Sequence, residues 1–477
     1  MLLFSSRDFN INHPIPKPYN KTALGTKRKV LADIQAALDY KDELFSWSRD
    51  GDFNITDHLM SKAIHTGKPT RLKNVLRKVL RAEDVNLVIL GGSNSAGGYL
   101  GADEKNLDGL YFRVFTNWWN KTIGKVTNAS VKTLQLAFGG TGSYFFAYCY
   151  ETFIVEDENI DIVLIEVSVN DGSDVKPLEQ LTRQVLAHPS APAVLYINLV
   201  TRVGPRNPSC VNLESFGQSD VARHYDVASI SLKEVLCRKE KGKWRAKVKS
   251  MTASDGHVNA NAHALVAMVM IKYVRSVFKE LINDVLTDVY QVEGKRLEGQ
   301  KRLNLPKLLF IERETEALKN PLCWTGKTPD VSKRLHRPNL QLRIINNEGF
   351  STCLLPKKTK PLRPDTGGGW CAWKQYSILK LSIIVPRLTI NDVISSRSVT
   401  IMILNGGGHA VVWLDNSRNK TAEFKRIDWG CDQYHTIGTR VSPGHHNLTV
   451  ITVRDGLLVV SGVFVGPPDT YDSHERV

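Results

Sequence analysis

The chain has 477 residues, a formal net charge of +15, and 42% hydrophobic and 23% charged residues. That length exceeds one ordinary core and implies two or three domains of soluble, globular composition. The longest apolar runs, such as Ala264 to Ile271, fall far short of a membrane span of ~20 residues, so no transmembrane segment is expected. The N-terminal MLLFSSRDFN has no apolar stretch of signal-peptide length, so either the protein is not secreted or its translated start lies upstream of Met1.

Basic residues are scattered, with local concentrations at Arg71 to Arg81 and Lys357 to Arg363 that favour polyanions, acidic glycans or anionic headgroups. No nucleic-acid motif accompanies them, so no nucleic-acid partner is expected. The seven cysteines leave at least one without a partner in the chain. Cys149 and Cys237 sit in apolar contexts that read as buried thiols. Cys323, Cys353, Cys371 and Cys431 cluster in the C-terminal third, where one or two disulfides fit an oxidising compartment. Sequons at Asn20, Asn54, Asn120, Asn128, Asn419 and Asn447 lean the same way, toward the secretory pathway.

Residues 1–69 read as an arm rich in Asn, Pro and Lys followed by a helix from Lys29 to about Trp47. Thr70 is placed to cap RLKNVLRKVLR, whose Leu72, Val75, Leu76, Val79 and Leu80 form one apolar face. The run VNLVILGGSNSAGG, Val85 to Gly98, then reads as a strand buried on both faces and stopped by glycines, which sets Ser93 at its carboxyl end. A helix is expected from about Gly109 to Trp119. Further strands end at Gly139 and Gly140 and at Asn170 and Asp171, and Ala191 to Val200 forms a fourth. A helix over 177–188, a short strand within 224–236 and a long helix after His257 complete the alternation. Strands alternating with helices over 70–284 predict a parallel sheet covered on both faces, a three-layer α/β/α domain. Residues 285–366 read as a linker with local packing. From Gly367 to the end, short alternating strands at regular spacing predict an all-β sandwich.

In a parallel sheet the strand ends share one edge, so Ser93, Gly140 and Asn170 can meet there with Asp255 and His257 from a later loop. A serine hydroxyl becomes an effective nucleophile when a base takes its proton, and His257 is the candidate base. Each stretch has a plain reading too: Gly-Gly as a tight turn, Asn-Asp as a cap, a lone histidine as surface. GGSNS, AFGGTGS, VSVND and DGHVNANAH, in that order and on those elements, resemble the four blocks of the SGNH hydrolases, the GDSL esterase family.

The resemblance covers about residues 70–280. It implies a metal-free serine esterase without cofactor, with Ser93 as nucleophile and His257 as base. The oxyanion would be held by the backbone N–H groups of Ser93 and Gly140 and the side-chain amide of Asn170. Two departures stand out. Gly92 replaces the family's Asp, and the triad acid, usually three residues before the histidine, would here be Asp255, two before it. Asp171 and His224 are placed near the site without a role, and His257 is preferred to His263 as the base. HAVVWLDN, RIDWG and SPGHHNLTVITVRDGLLVVSGVFV resemble the β-sandwich appended to some eukaryotic capsule-associated or glycan-modifying SGNH proteins. There Trp413, Trp429 and Tyr434 would offer a sugar platform, with Trp413 more readily read as core. The implied substrate is an acylated, above all an acetylated, glycan or another ester. An O-acyltransferase using the same site and an inactive glycan-binding scaffold are the alternatives. Oligomeric state is left open.

Overall fold

The computed structural model describes residues 21–39, 55–98, 100, 107–154, 158–171, 174–199, 217–236, 251–252, 257–291, 305–311, 321–329, 339–354, 365–366, 368–390, 393–406, 408–417, 422–424 and 432–466. The expectations for the arm before Lys21, Asp255, Cys237, Cys431 and Trp429 lie outside these residues.

The first domain is built on strands β1 (Ile64–His65), β2 (Val85–Gly91), β3 (Val131–Ala137), β4 (Ile162–Glu166), β5 (Ala193–Asn198) and β6 (Ala228–Ser231). They lie in the order β1-β6-β5-β4-β2-β3. All neighbours are parallel except the edge strand β1, which runs antiparallel to β6. The alternation within β2 explains why its sequence is apolar throughout. Leu87 and Ile89 pack with the helices Thr70–Val79, Tyr111–Lys121 and Ala260–Gln291, while Val88 and Leu90 face the helices Ser143–Phe153 and Lys176–Ala187. Helices therefore cover both faces and leave the strand ends free to carry loops.

The second domain is an all-β sandwich. One sheet follows the order 351–354, 368–372, 457–466, 397–406 and 432–441, and β7 (Leu322–Thr325) adds to the strand Leu457–Gly466. The other runs 422–424, 409–414, 444–454, 378–385 and 342–348. Along Ile378–Val385, Leu379, Leu381, Ile383 and Val385 are buried and alternate with more exposed residues, so the sequence period of two becomes the core between the sheets.

Four expectations are corrected. The sandwich draws strands from before Gly367, within the stretch read as linker: β7 is too short to show a period, and the edge strand Leu342–Glu348 is largely exposed. The first helix spans Lys21–Asp39 rather than starting at Lys29, since good helix formers precede Lys29 and only one glycine interrupts them. Pro69, not Thr70, occupies the cap of Thr70–Val79, where its fixed φ already suits a helix start. Cys149 is not a free thiol but is bonded to Cys323 of β7, with the Cα atoms 5.1 Å apart. Cys353 and Cys371 are bonded between neighbouring strands.

The two domains share an apolar layer. Met402, Phe464 and Cys323 join the cluster of Phe138, Phe145 and Tyr148, and Tyr434 packs against Tyr144 in a tilted pair with ring centroids 4.7 Å apart. Tyr434 is thus part of the domain junction rather than a solvent-facing platform, and Trp413 is buried. Residues 305–311 are tied down by the buried Glu179 carboxylate, which accepts from the backbone N–H groups of Leu309, Phe310 and Ile311 at 2.6, 2.8 and 3.0 Å.

Candidate active site

β2 lies between β3 and β4, so the loops after these three strands emerge side by side. Their bases are knitted together: Phe138 N donates to Gly91 O at 2.9 Å and Gly92 N to Glu166 O at 3.0 Å. Ser93 opens a tight turn closed by Gly98 N donating to Ser93 O at 2.7 Å. Gly140, in the β3 loop, holds φ +69°, a left-handed conformation natural to glycine. Asn170, in the short helix Ser168–Asp171 after β4, is buried and donates through Nδ2 to Thr141 O at 2.9 Å.

His257 comes from the loop before Ala260–Gln291, and its Nε2 lies 2.8 Å from Ser93 Oγ. Both residues are half-buried, reachable from solvent yet laterally confined. One position further along each loop, Asn94 Oδ1 accepts from Val258 N at 3.0 Å. An imidazole nitrogen on a serine hydroxyl is the arrangement by which a base makes serine nucleophilic.

Glycine is required at two points. A Cβ on Gly92 would fall 2.2 Å from Asn170 Nδ2, so the absence of a side chain at position 92 lets the amide approach the serine turn. A Cβ on Gly98 would fall 2.9 Å from His257 Cδ2 and 2.7 Å from Ser93 O. The Asp-to-Gly departure at position 92 thus fits the packing of this site.

Beneath the turn lies a buried polar chain. Glu166 Oε2 accepts from Ser95 N at 3.2 Å and Ser95 Oγ at 2.8 Å, and Ser95 Oγ is 2.9 Å from Tyr111 OH. Burial pushes the Glu166 carboxyl up to about 7, against the opposing hydrogen bonds from Ser95. Tyr111 stacks on His263, whose ring burial lowers its pKa to about 3 and keeps it neutral. His263 is fully buried and so is placed to pack, whereas His257 faces the serine.

Ser93, Gly140, Asn170 and His257 are therefore carried to one sheet edge, and Asp255 lies outside the described residues. Asp171 Oδ1 accepts from Ser143 N at 2.6 Å, which ties the β4 loop to the helix after β3. His224 points elsewhere and donates to Lys307 O at 2.6 Å. Asn94, Gly98 and Glu166 were missed from sequence. Only Asn94, a polar residue inside the serine turn, carried a local signal. Among the described residues, no group of His, Cys, Asp and Glu side chains is placed to hold a metal ion.

Fold and strand-end cluster together define a two-domain protein: a three-layer α/β domain on a mostly parallel sheet, with Ser93 and His257 in contact at its strand ends, followed by an all-β sandwich. Among solved structures, the chain is similar to a two-domain esterase (CEX) described as active on acetylated mannans, at 19% identity and a TM-score of 0.58, covering 86% of this chain and 99% of that one. A second structure of that esterase, co-crystallised with mannopentaose, matches at 19% identity and a TM-score of 0.56 with the same coverage. The likeness thus runs across both domains. No family model matches the sequence, and no curated protein matches it.

Proposed function

We propose that the protein is a serine esterase that hydrolyses an acyl ester, acetyl for preference, on a carbohydrate. The observation that carries this reading is the 2.8 Å contact between His257 Nε2 and Ser93 Oγ at the meeting point of three strand ends. Ser93 Oγ attacks the ester carbonyl as its proton passes to His257 Nε2. The oxyanion is held by the backbone N–H groups of Ser93 and Gly140 and by the Asn170 amide. Each is a neutral donor fixed before the charge develops. His257 then gives that proton to the departing sugar oxygen, which leaves as the hydroxyl, and water, activated by the same imidazole, releases the acid from Ser93. Asp255 is assigned the orientation of His257. The carbohydrate preference is supported by the resemblance in fold to the two-domain mannan esterase and by the glycan-modifying relatives that the C-terminal stretches resemble.

Fluorophosphonate labelling of the full chain and of Ser93→Ala tests the reading. A single adduct on Ser93, absent from the variant, is expected, together with acetate release from acetylated polysaccharide. A folded wild-type chain that takes no adduct overturns it.

A further inference from the structure

A side chain from the β domain reaches the loop that carries Gly140. Lys327, between β7 and the short strand Thr328–Pro329, is only 4% exposed. Its Nζ donates to Gly139 O at 3.2 Å and to Thr141 Oγ1 at 3.0 Å, and it sits 5.9 Å above the Phe145 ring centroid. The two acceptors lie on either side of Gly140, and the backbone oxygen of Thr141 accepts from Asn170 Nδ2. Lys327 thus holds the residues flanking one of the assigned donors and touches the partner of another.

The turn bearing Lys327 is itself fixed. Lys327 N donates to Thr325 Oγ1 at 3.1 Å, Thr325 Oγ1 donates to Ser461 O at 2.9 Å, and Gly326 N donates to Ser461 O at 2.8 Å. The Cys149–Cys323 bond anchors the same strand to the helix that follows the Gly140 loop. Gly139 and Gly140 have no side chains with which to anchor themselves; within the loop Thr141 Oγ1 donates to Gly139 O and Thr141 N to Phe138 O, each at 3.4 Å, and the bonds from Lys327 are the shorter ones. Burying an ammonium is costly unless hydrogen bonds compensate it, and here those bonds fall on the loop.

We propose that Lys327 is a positioning residue for the oxyanion-binding loop, so that the β domain completes the esterase centre. This rests on the esterase reading above. Without the ammonium, Gly139 O and Thr141 Oγ1 lose a donor, the peptide at Gly140 is free to turn, and its N–H no longer meets the developing charge. A contact that only glues the domains together would affect stability and leave turnover per folded molecule unchanged.

The test uses the full chain: kcat and KM for 4-nitrophenyl acetate, the rate of fluorophosphonate labelling at Ser93 and the thermal midpoint. The variants are Lys327→Met, Lys327→Arg, Thr141→Val and the Lys327→Met/Thr141→Val double. Tyr144→Phe, which loses a junction hydrogen bond to Thr400 and none to Gly139 or Thr141, is the control. Lys327→Met is expected to lower kcat about ten- to thirty-fold, within the range for supporting residues behind a reactive group. KM should stay within about two-fold, labelling should slow in parallel, and Lys327→Arg should recover part of the rate. The double variant should be little slower than Lys327→Met alone, because the bond that Thr141→Val removes is one of the two that Lys327 makes to the loop. Wild-type kcat in Lys327→Met, or an equal loss in Tyr144→Phe, overturns the proposal. If Lys327→Met does not fold, Lys327→Arg and Thr141→Val decide, and wild-type kcat in Thr141→Val rejects it. A wild-type chain with neither turnover nor adduct refutes the esterase reading itself and the proposal with it.

Discussion

Asn94 and Val258, 164 positions apart, are joined by a hydrogen bond of 3.0 Å, each one residue beyond a partner in the Ser93–His257 contact. The bond ties the serine turn, which follows an interior apolar strand, to the loop that leads into the domain's long helix Ala260–Gln291.

Asn94→Ala leaves the buried Val258 N–H without its acceptor, which should cost about 1–3 kcal/mol of stability. Turnover should fall about ten-fold as the imidazole drifts from the hydroxyl, in the manner of a lost supporting group. Asn94→Asp keeps an acceptor oxygen and should recover most of the rate. Kinetics on folded material, with denaturant titration alongside, checks this. Equal rates for Asn94→Ala and wild type would show that the bond does not position His257.

Gly92→Ala is the smallest change that removes the space occupied by Asn170. Its Cβ would lie 2.2 Å from Nδ2, so the amide must move. If Asn170 is an oxyanion donor, kcat should fall about 10²- to 10³-fold, the range for losing one such donor. Asn170→Ala should fall to the same level, and combining the two should add little. Serine labelling should slow but persist, because the nucleophile and base are untouched. A Gly92→Ala enzyme at wild-type rate would remove Asn170 from the mechanism.

The sheet was legible because parallel strands buried on both faces spell themselves as apolar runs ended by glycine, as in Val85 to Gly98. Ser93, Gly140 and Asn170 were placed at one edge by the same punctuation and His257 by the loop that opens the long helix, while their expected roles came from the resemblance of the four blocks. Lys327, Glu166 and Glu179 were not. Each acts through the tertiary environment: a lysine in a short turn, one carboxylate at the end of a strand, another on a helix, with no local pattern to mark them. The exposed edge strand Leu342–Glu348 was hidden as well, since a strand with one open side need not alternate.

Glu166 titrates near 7 in the folded protein against an ordinary value of 4.5, because burial disfavours its charge. Between these values the folded state holds a proton that the unfolded chain has lost. Stability from this group is therefore full below pH 4.5 and is lost as pH rises through about 7, by about 3 kcal/mol in all. His263 does the opposite. Its folded pKa is lowered from 6.5 to about 3, so the unfolded chain takes up a proton first and stability falls as pH drops below 6.5. From pH 4.5 to 6.5 the two slopes have opposite signs and nearly equal size, about 1.4 kcal/mol per pH unit each. The wild-type contribution of the pair is accordingly flat there. Glu166→Gln should remove one slope, so that its stability relative to wild type rises by about 3 kcal/mol between pH 4.5 and 7. His263→Asn should remove the other and rise relative to wild type by about 3 kcal/mol as pH falls from 6.5 to 4.5. Urea titrations of the three proteins at four pH values measure both differences. Curves that stay parallel across this range would show that neither group changes protonation on folding.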